Sequence, residues 1–202
     1  MTSTPRSEHQ GTLVAQAFGA KMILMRRLLA STVVLAILLP SAVLAALKPG
    51  AEAPLFSTPA ALAGKVFDFD LAAALKKGPV VLYFFPKAFT RGCTIEANAF
   101  AEASPKFAAL GATVIGMSHD GIDTLKRFST EACRDQFAVA SDPTARTIKA
   151  YDASSLLPGV ASRISYVIAT DGRIAFTHQG SDPLEHVEQT LKAVERVRQP
   201  AR

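Results

Sequence analysis

The chain has 202 residues, 49% of them hydrophobic, with 22 basic and 17 acidic side chains and a net charge of +5. That length holds one ordinary domain with a core of useful size, and some chain beyond it. Residues 1–45 hold four basic and one acidic side chain, so the rest carries only +2, with no basic stripe of the kind nucleic-acid binding requires.

The first element is a leader. Leu28 to Leu47, "LLASTVVLAILLPSAVLAAL", is uncharged and follows "MRR" at Met25 to Arg27. A short cationic region, an apolar run and the small residues Val43 and Ala45 read as a secretory signal peptide cleaved after Ala45. The 24 residues before Met25 are long for the cationic part of a signal, which makes Met25 an alternative start. The rival reading is an uncleaved inner-membrane anchor, since a spanning helix needs ~20 apolar residues. Pro40 and the small-residue end favour cleavage, hence a periplasmic or secreted protein. Residues 46–202 then form one domain.

After the leader, "KPGAEAPLFSTPA" reads as an extended arm without helical period. Lys65 to Asp70 alternates as a short strand, followed by a brief helix closed by Gly78. "PVVLYFF" (Pro79 to Phe85) is the continuous apolar run of a strand covered on both faces. From about Thr94 a helix is expected, with Ile95, Ala99, Ala103, Phe107 and Leu110 as its buried stripe and Gly111 as its stop. Ala112 to Ser118 is the next buried strand, "DGIDTLKRFSTEAC" a polar helix, and Phe137 to Ser141 a third short strand. "DPTARTIKAYD" predicts a helix capped by Asp142 with Pro143 at its first position. "RISYVIATDGRIAFTH" predicts a hairpin around Asp171-Gly172. The last helix opens with "DPLE" and buries Leu184, Val187, Leu191, Val194 and Val197. This order predicts an α/β fold, a mixed sheet with parallel strands at its centre and the hairpin at one side.

Cys93 falls at the joint between the strand ending at Phe85 and the helix that follows. A helix start presents unpaired N–H groups and a positive dipole end, which stabilise an anion there. A free thiol of pKa ~8.5 is roughly 3% ionised at pH 7, and helix starts or nearby cations raise that fraction. Fast chemistry also needs an oriented electrophile and a stabilised leaving oxygen.

Read from Pro86, the segment is P-K-A-F-T-R-G-C, with Pro86 seven and Thr90 three residues before Cys93. It resembles the P-x-x-x-T-x-x-C signature of peroxiredoxins, and "GCTIEANAF" is similar to the peroxiredoxin Q type, also called bacterioferritin comigratory protein. The likeness runs from roughly Ala51 to Val197 and includes "SHD", "VASDP" and "RISYVIATDG". It implies a thioredoxin-like fold, a central mixed β-sheet flanked by helices. It also implies a peroxidatic role for Cys93, whose thiolate attacks a peroxide and becomes a sulfenic acid. Thr90 would accept from and donate to the peroxide oxygens through its hydroxyl, Pro86 would shield the site, and Arg163 would stabilise the thiolate and the departing oxygen. A planar, always-charged donor fork suits two oxygens at once. Glu96 is the candidate to orient that arginine, with complementing the helix dipole as its alternative. Lys87 and Arg91 read as solvated surface charges, and Phe84, Phe85, Phe89 and Phe100 as core or pocket wall.

The Q-type pattern breaks at Asn98, the place five residues on where many members carry a resolving cysteine. The only other cysteine is Cys133, at the end of the next predicted helix, so it is the candidate resolving residue. A disulfide needs Cα atoms within ~7 Å, which implies local unwinding after Cys93. The alternative is a one-cysteine enzyme reduced by an outside thiol. A thioredoxin-like disulfide reductase would want C-x-x-C, and Glu96 stands where the second cysteine would be. A non-enzymatic envelope redox sensor would share the site but not turn over. His119, His178 and His186 lack metal-ligand spacing, so no metal or cofactor is expected. The expected partners are a peroxide and a thioredoxin-like or small-thiol reductant, with no nucleic acid and the chain a monomer or weak dimer.

Overall fold

The computed structural model describes residues 46–198, so the leader and its cleavage point lie outside the described residues. In chain order the elements are β1 (Ser57–Leu62), β2 (Lys65–Asp70), α1 (Leu71–Leu75), β3 (Val80–Phe84), α2 (Arg91–Ala109) and β4 (Thr113–Ser118). Then follow α3 (Ile122–Glu131), β5 (Ala138–Ser141), α4 (Arg146–Ala150), β6 (Ile164–Ile168), β7 (Ile174–Gln179) and α5 (Pro183–Arg198). The strands form one seven-stranded sheet in the order β2-β1-β5-β4-β3-β6-β7. β3, β4 and β5 are parallel at its centre, and the hairpin β6–β7 adds antiparallel strands beside β3. The predicted mixed α/β sheet is the observed one.

Alternation along β3 builds both cores. Val80, Leu82 and Phe84 face one side, with Ile115, Met117, Tyr166 and the helices α1 and α4. Val81, Tyr83 and Phe85 face the other, with Cys93, Phe100, Phe128, Cys133 and Val194. All five strand residues are buried, as a strand covered on both faces requires. Tyr83 fits because its register partner is Gly116, where a β-carbon would lie 2.7 Å from the tyrosine ring. That ring stacks on Phe100 with centroids 4.5 Å apart, which seats α2 over the sheet.

Several expectations need correction. The supposed arm contains β1, whose small residues Ala60 and Ala61 are fully buried between β2 and β5. α2 begins at Arg91 and buries a different face, with Cys93, Glu96, Ala97, Phe100 and Phe107 inward and Ile95 39% exposed. α4 starts at Arg146 rather than at Pro143, because Ala145 takes a left-handed φ of 52°. Asp142 still caps it, accepting from the N–H groups of Arg146 and Ile148. On α5 Val187 and Val194 are buried as expected, but Leu184 is exposed and His186 and Thr190 complete the inner face. Cys133 lies in the turn past α3 rather than on the helix. The four phenylalanines divide: Phe84 packs on the opposite side of the sheet from Phe85 and Phe100, and Phe89 is exposed.

Candidate active site

β3 delivers the chain to the carboxyl end of the central strands, and a short loop turns it into α2. Phe85 N–H still bonds Met117, after which Pro86, having no N–H, ends the ladder. The loop is then tied down from the segment after β4. Ala88 N–H donates to Asp120 Oδ2 at 2.8 Å, the same oxygen that accepts from Ser118 Oγ, while the Asp120 carbonyl accepts from Ser141. Phe89 follows with φ of 63°, an unusual conformation for a residue with a side chain. Its ring lies edge-on to Phe128 and under the guanidinium of Arg127, which holds the turn from outside.

Thr90 is the N-terminal cap residue of α2 by backbone conformation, yet its hydroxyl makes no capping bond. It donates instead to Lys87 O at 3.0 Å. With its proton committed to the loop, the hydroxyl presents only lone pairs outward, so it can accept from a substrate O–H but not donate to one. Cys93 is the third residue of α2 and is 2% exposed. The first intrahelical bond is Thr94 N–H to Thr90 O, and among the described residues nothing accepts from the amides of Arg91, Gly92 and Cys93, which leaves them for an oxygen anion.

Arg163, just ahead of β6, reaches this point because β6 runs antiparallel to β3. Its Nη2 lies 3.5 Å from Cys93 Sγ, and its Nη1 donates to Glu96 Oε2. Glu96 is fully buried, while Arg163 keeps 12% of its side chain exposed. Burial pushes the Glu96 carboxyl up to about 8, against the pull of Arg163. Pro86 is half-buried beside the site, while Lys87 and Arg91 point to solvent as expected for surface charges.

Cys93 and Cys133 are both free and both buried in the same core layer. Burial drives the Cys133 thiol well above the usual thiol range, with Asp135 adding to the effect. Its turn is anchored to α2, because neighbouring Arg134 donates to Asn98 Oδ1 at 3.0 Å and to Glu102. Arg134 and Asp135 both have positive φ, so this turn is locally strained. A cleft between β2, β5 and the far end of α2 lies at the opposite end of the sheet and holds none of these residues.

Sequence reasoning missed four residues that lie around the site. Asp120 was visible within the "SHD" match, but its grip on the loop was not. Gly92, Ser165 and His186 carried no signal of their own. His186, read as an ordinary histidine, lies behind Glu96 in the core.

The fold and site together define a thioredoxin-like protein built around a helix-start cysteine and an arginine. The chain belongs to the AhpC/TSA family, whose model matches residues 49–177. It is 33% identical over 122 residues to a chloroplastic peroxiredoxin Q of Sedum lineare, covering 59% of this chain and 65% of that one. A chloroplastic peroxiredoxin Q of Triticum aestivum is 34% identical over 122 residues, covering 59% and 56%. The chain thus spans under two thirds of the length of these curated relatives. The crystal structure of peroxidoxin BcpB from Mycobacterium tuberculosis aligns with a TM-score of 0.69 at 27% identity, covering 76% of this chain and 99% of that one. The resemblance drawn from the P-x-x-x-T-x-x-C segment is borne out.

Proposed function

We propose that the chain is a thiol peroxidase that reduces hydrogen peroxide or organic hydroperoxides at Cys93. The observation that carries this reading is the contact of Arg163 Nη2 with Cys93 Sγ at the start of α2. The sulfur anion attacks the terminal oxygen of a hydroperoxide, forming an S–O bond as the O–O bond breaks. Cys93 becomes a sulfenic acid, and the departing oxygen leaves as an anion that takes a proton to become water or an alcohol. Arg163 and the free amides at the helix start stabilise that oxygen as charge develops on it. Thr90 accepts from the substrate O–H and so fixes which oxygen faces the sulfur. Pro86 limits water, and Glu96 aims Arg163.

Cys133 resolves the sulfenic acid: its sulfur attacks Cys93 Sγ, a disulfide forms and water leaves. The tie between Arg134 and Asn98 supports this, because Asn98 is five residues past Cys93 and so only about 7.5 Å along the helix. Burial of both thiols means the first turn of α2 must open beforehand. A thioredoxin-like dithiol then reduces the disulfide. The burial of Cys133 also favours a second reading, in which Cys93 is reduced directly by an outside thiol. The cationic Met25 to Arg27 followed by the uncharged run from Leu28 supports export to an envelope compartment.

Peroxide consumption by wild type, Cys93→Ser and Cys133→Ser with a thioredoxin-type reductant tests the scheme. The first change abolishes turnover, and the second selectively removes turnover that depends on the reductant. Intact mass after one equivalent of peroxide separates the two readings. Loss of two protons supports the disulfide, whereas added oxygen on Cys93 with Cys133 still alkylatable supports the one-cysteine route.

A further inference from the structure

Behind Arg163, three polar side chains meet where α2, β6 and α5 pack together. Ser165, His186 and Glu96 are each fully buried. Ser165 Oγ lies 2.8 Å from His186 Nδ1, and His186 Nε2 lies 3.1 Å from the carbonyl of Gly180. A carbonyl only accepts, so the proton of the neutral ring sits on Nε2 and Nδ1 is an acceptor. Glu96 Oε1 is 3.9 Å from that same nitrogen and has no hydrogen-bond partner among the described residues. An ionised oxygen there would aim a lone pair at another lone pair in a dry site, an unpaired charge in low dielectric. A protonated Oε1 would remove that repulsion and face an acceptor whose lone pair the Ser165 hydroxyl, donating from 2.8 Å, already shares. Because Oε2 is already engaged by Arg163, Oε1 is the atom that takes the proton.

We propose that His186 is a positioning residue for the Cys93 site: it keeps a proton on Glu96 Oε1, so that the charge of Arg163 is left for the sulfur and the substrate oxygens. This rests on the peroxidase reading above. The other groups that bear on the pair are Tyr83 on β3, Cys93 on α2, Arg163 ahead of β6, His178 on β7, and Asp182 and Glu185 around the start of α5. His178 meets His186 edge to face with ring centroids 4.5 Å apart, and its Nε2 is 3.7 Å from Glu185 Oε2. Burial pushes Glu96 up to about 8 and His186 down to about 4, so near neutral pH both are uncharged. Above the Glu96 titration, one guanidinium must serve two anions, and the peroxide reaction falls.

The test is the pH profile of peroxide consumption by the full chain, with the alkaline limb compared among wild type, His186→Leu, His186→Gln and Ser165→Ala. His186→Leu removes the acceptor and moves the limb to lower pH. Ser165→Ala frees Nδ1 for Glu96 and moves it to higher pH. A displacement of half a pH unit is about a threefold rate change on that limb, in opposite directions for the two variants. His186→Gln, whose amide oxygen can replace Nδ1, stays closer to wild type than the leucine variant does. A purely structural role would shift both variants the same way, and that result, or an unchanged limb, overturns the proposal. Should His186→Leu fail to fold by circular dichroism, Ser165→Ala decides alone. Alkylation of Cys93 by iodoacetamide needs no peroxide, and its pH profile should carry an inflection that the same variants displace. Displaced inflections without any peroxide consumption would overturn the peroxidase reading and uphold the role of His186.

Discussion

The Arg163 guanidinium lies over Gly92, so close that a side chain there would have to push it aside by a few tenths of an ångström. A β-carbon at Gly92 would lie 3.1 Å from Arg163 Nη2, the atom that also meets Cys93 Sγ. Since Glu96 holds the other arm of the guanidinium, we expect Gly92→Ala to shift Nη2 by a few tenths of an ångström relative to the sulfur. We expect the rate of Cys93 oxidation by peroxide to fall at least tenfold, since small misplacements at a reacting centre are costly. Thermal stability should not fall, because alanine favours helix over glycine by up to ~1 kcal/mol. Stopped-flow oxidation and a melting curve on one preparation check both halves.

Arg163→Met removes the cation but leaves Glu96 in the core. Breaking a buried pair this way costs about 3–5 kcal/mol when the remaining charge stays ionised. Arg163 is the group that holds the Glu96 value down, so without it the carboxyl titrates still higher and stays neutral over more of the pH range. The destabilisation relative to wild type should therefore be larger at pH 9 than at pH 6, by chemical denaturation at both. Equal losses would mean that Glu96 does not change charge between them.

His186 makes an acid-side prediction. Its folded-state value near 4 lies below the ~6.5 of an unfolded imidazole, so the folded chain binds fewer protons between those limits. Its contribution is therefore complete above pH 6.5 and is lost as the pH falls toward 4, amounting to on the order of 3 kcal/mol. His186→Gln should lose less stability than wild type between pH 7 and pH 4.5. Glu96 has the opposite slope, its raised value making the fold less stable as pH rises from 4.5 toward 8, and that slope is shared by both proteins.

Asp120→Ala tests the loop. The change leaves the Ala88 N–H and the Ser118 hydroxyl without their shared acceptor and should cost about 1–3 kcal/mol. It should slow peroxide reduction more than it lowers the melting temperature would explain, because Pro86 to Thr90 is the segment that loses its anchor. Turnover measured well below the melting point separates the two effects.

The strands were legible where burial on both faces leaves a plain record, as in Val80–Phe84, and the hairpin was legible from Asp171-Gly172, where Gly172 takes the φ of 82° that the turn needs. β1 was not legible, because Ser57–Leu62 is made a strand by its neighbours on both sides rather than by its own small residues. The face of α2 was misread for a related reason. Apolar spacing selects Ile95, whereas the fold turns Cys93 and Glu96 inside, and a helix that buries polar groups escapes a search for hydrophobic period. Cys93 stood out by its place between a buried strand and a helix, whereas Thr90 and Pro86 were read from the likeness of their segment to the family signature. Arg163 came from the family likeness, and His186 could be seen only once β6 and α5 were packed together.

The most direct measurement is the rate at which Cys93 is oxidised by hydrogen peroxide at pH 7, followed by intact mass and peptide mapping in wild type and Arg163→Met. The account predicts oxidation at Cys93 in the wild type and a slowing of about a hundredfold or more in the variant, the scale seen when an anion-stabilising donor is removed. Equal rates in the two proteins, or oxidation that begins at Cys133 with Cys93 intact, would contradict it.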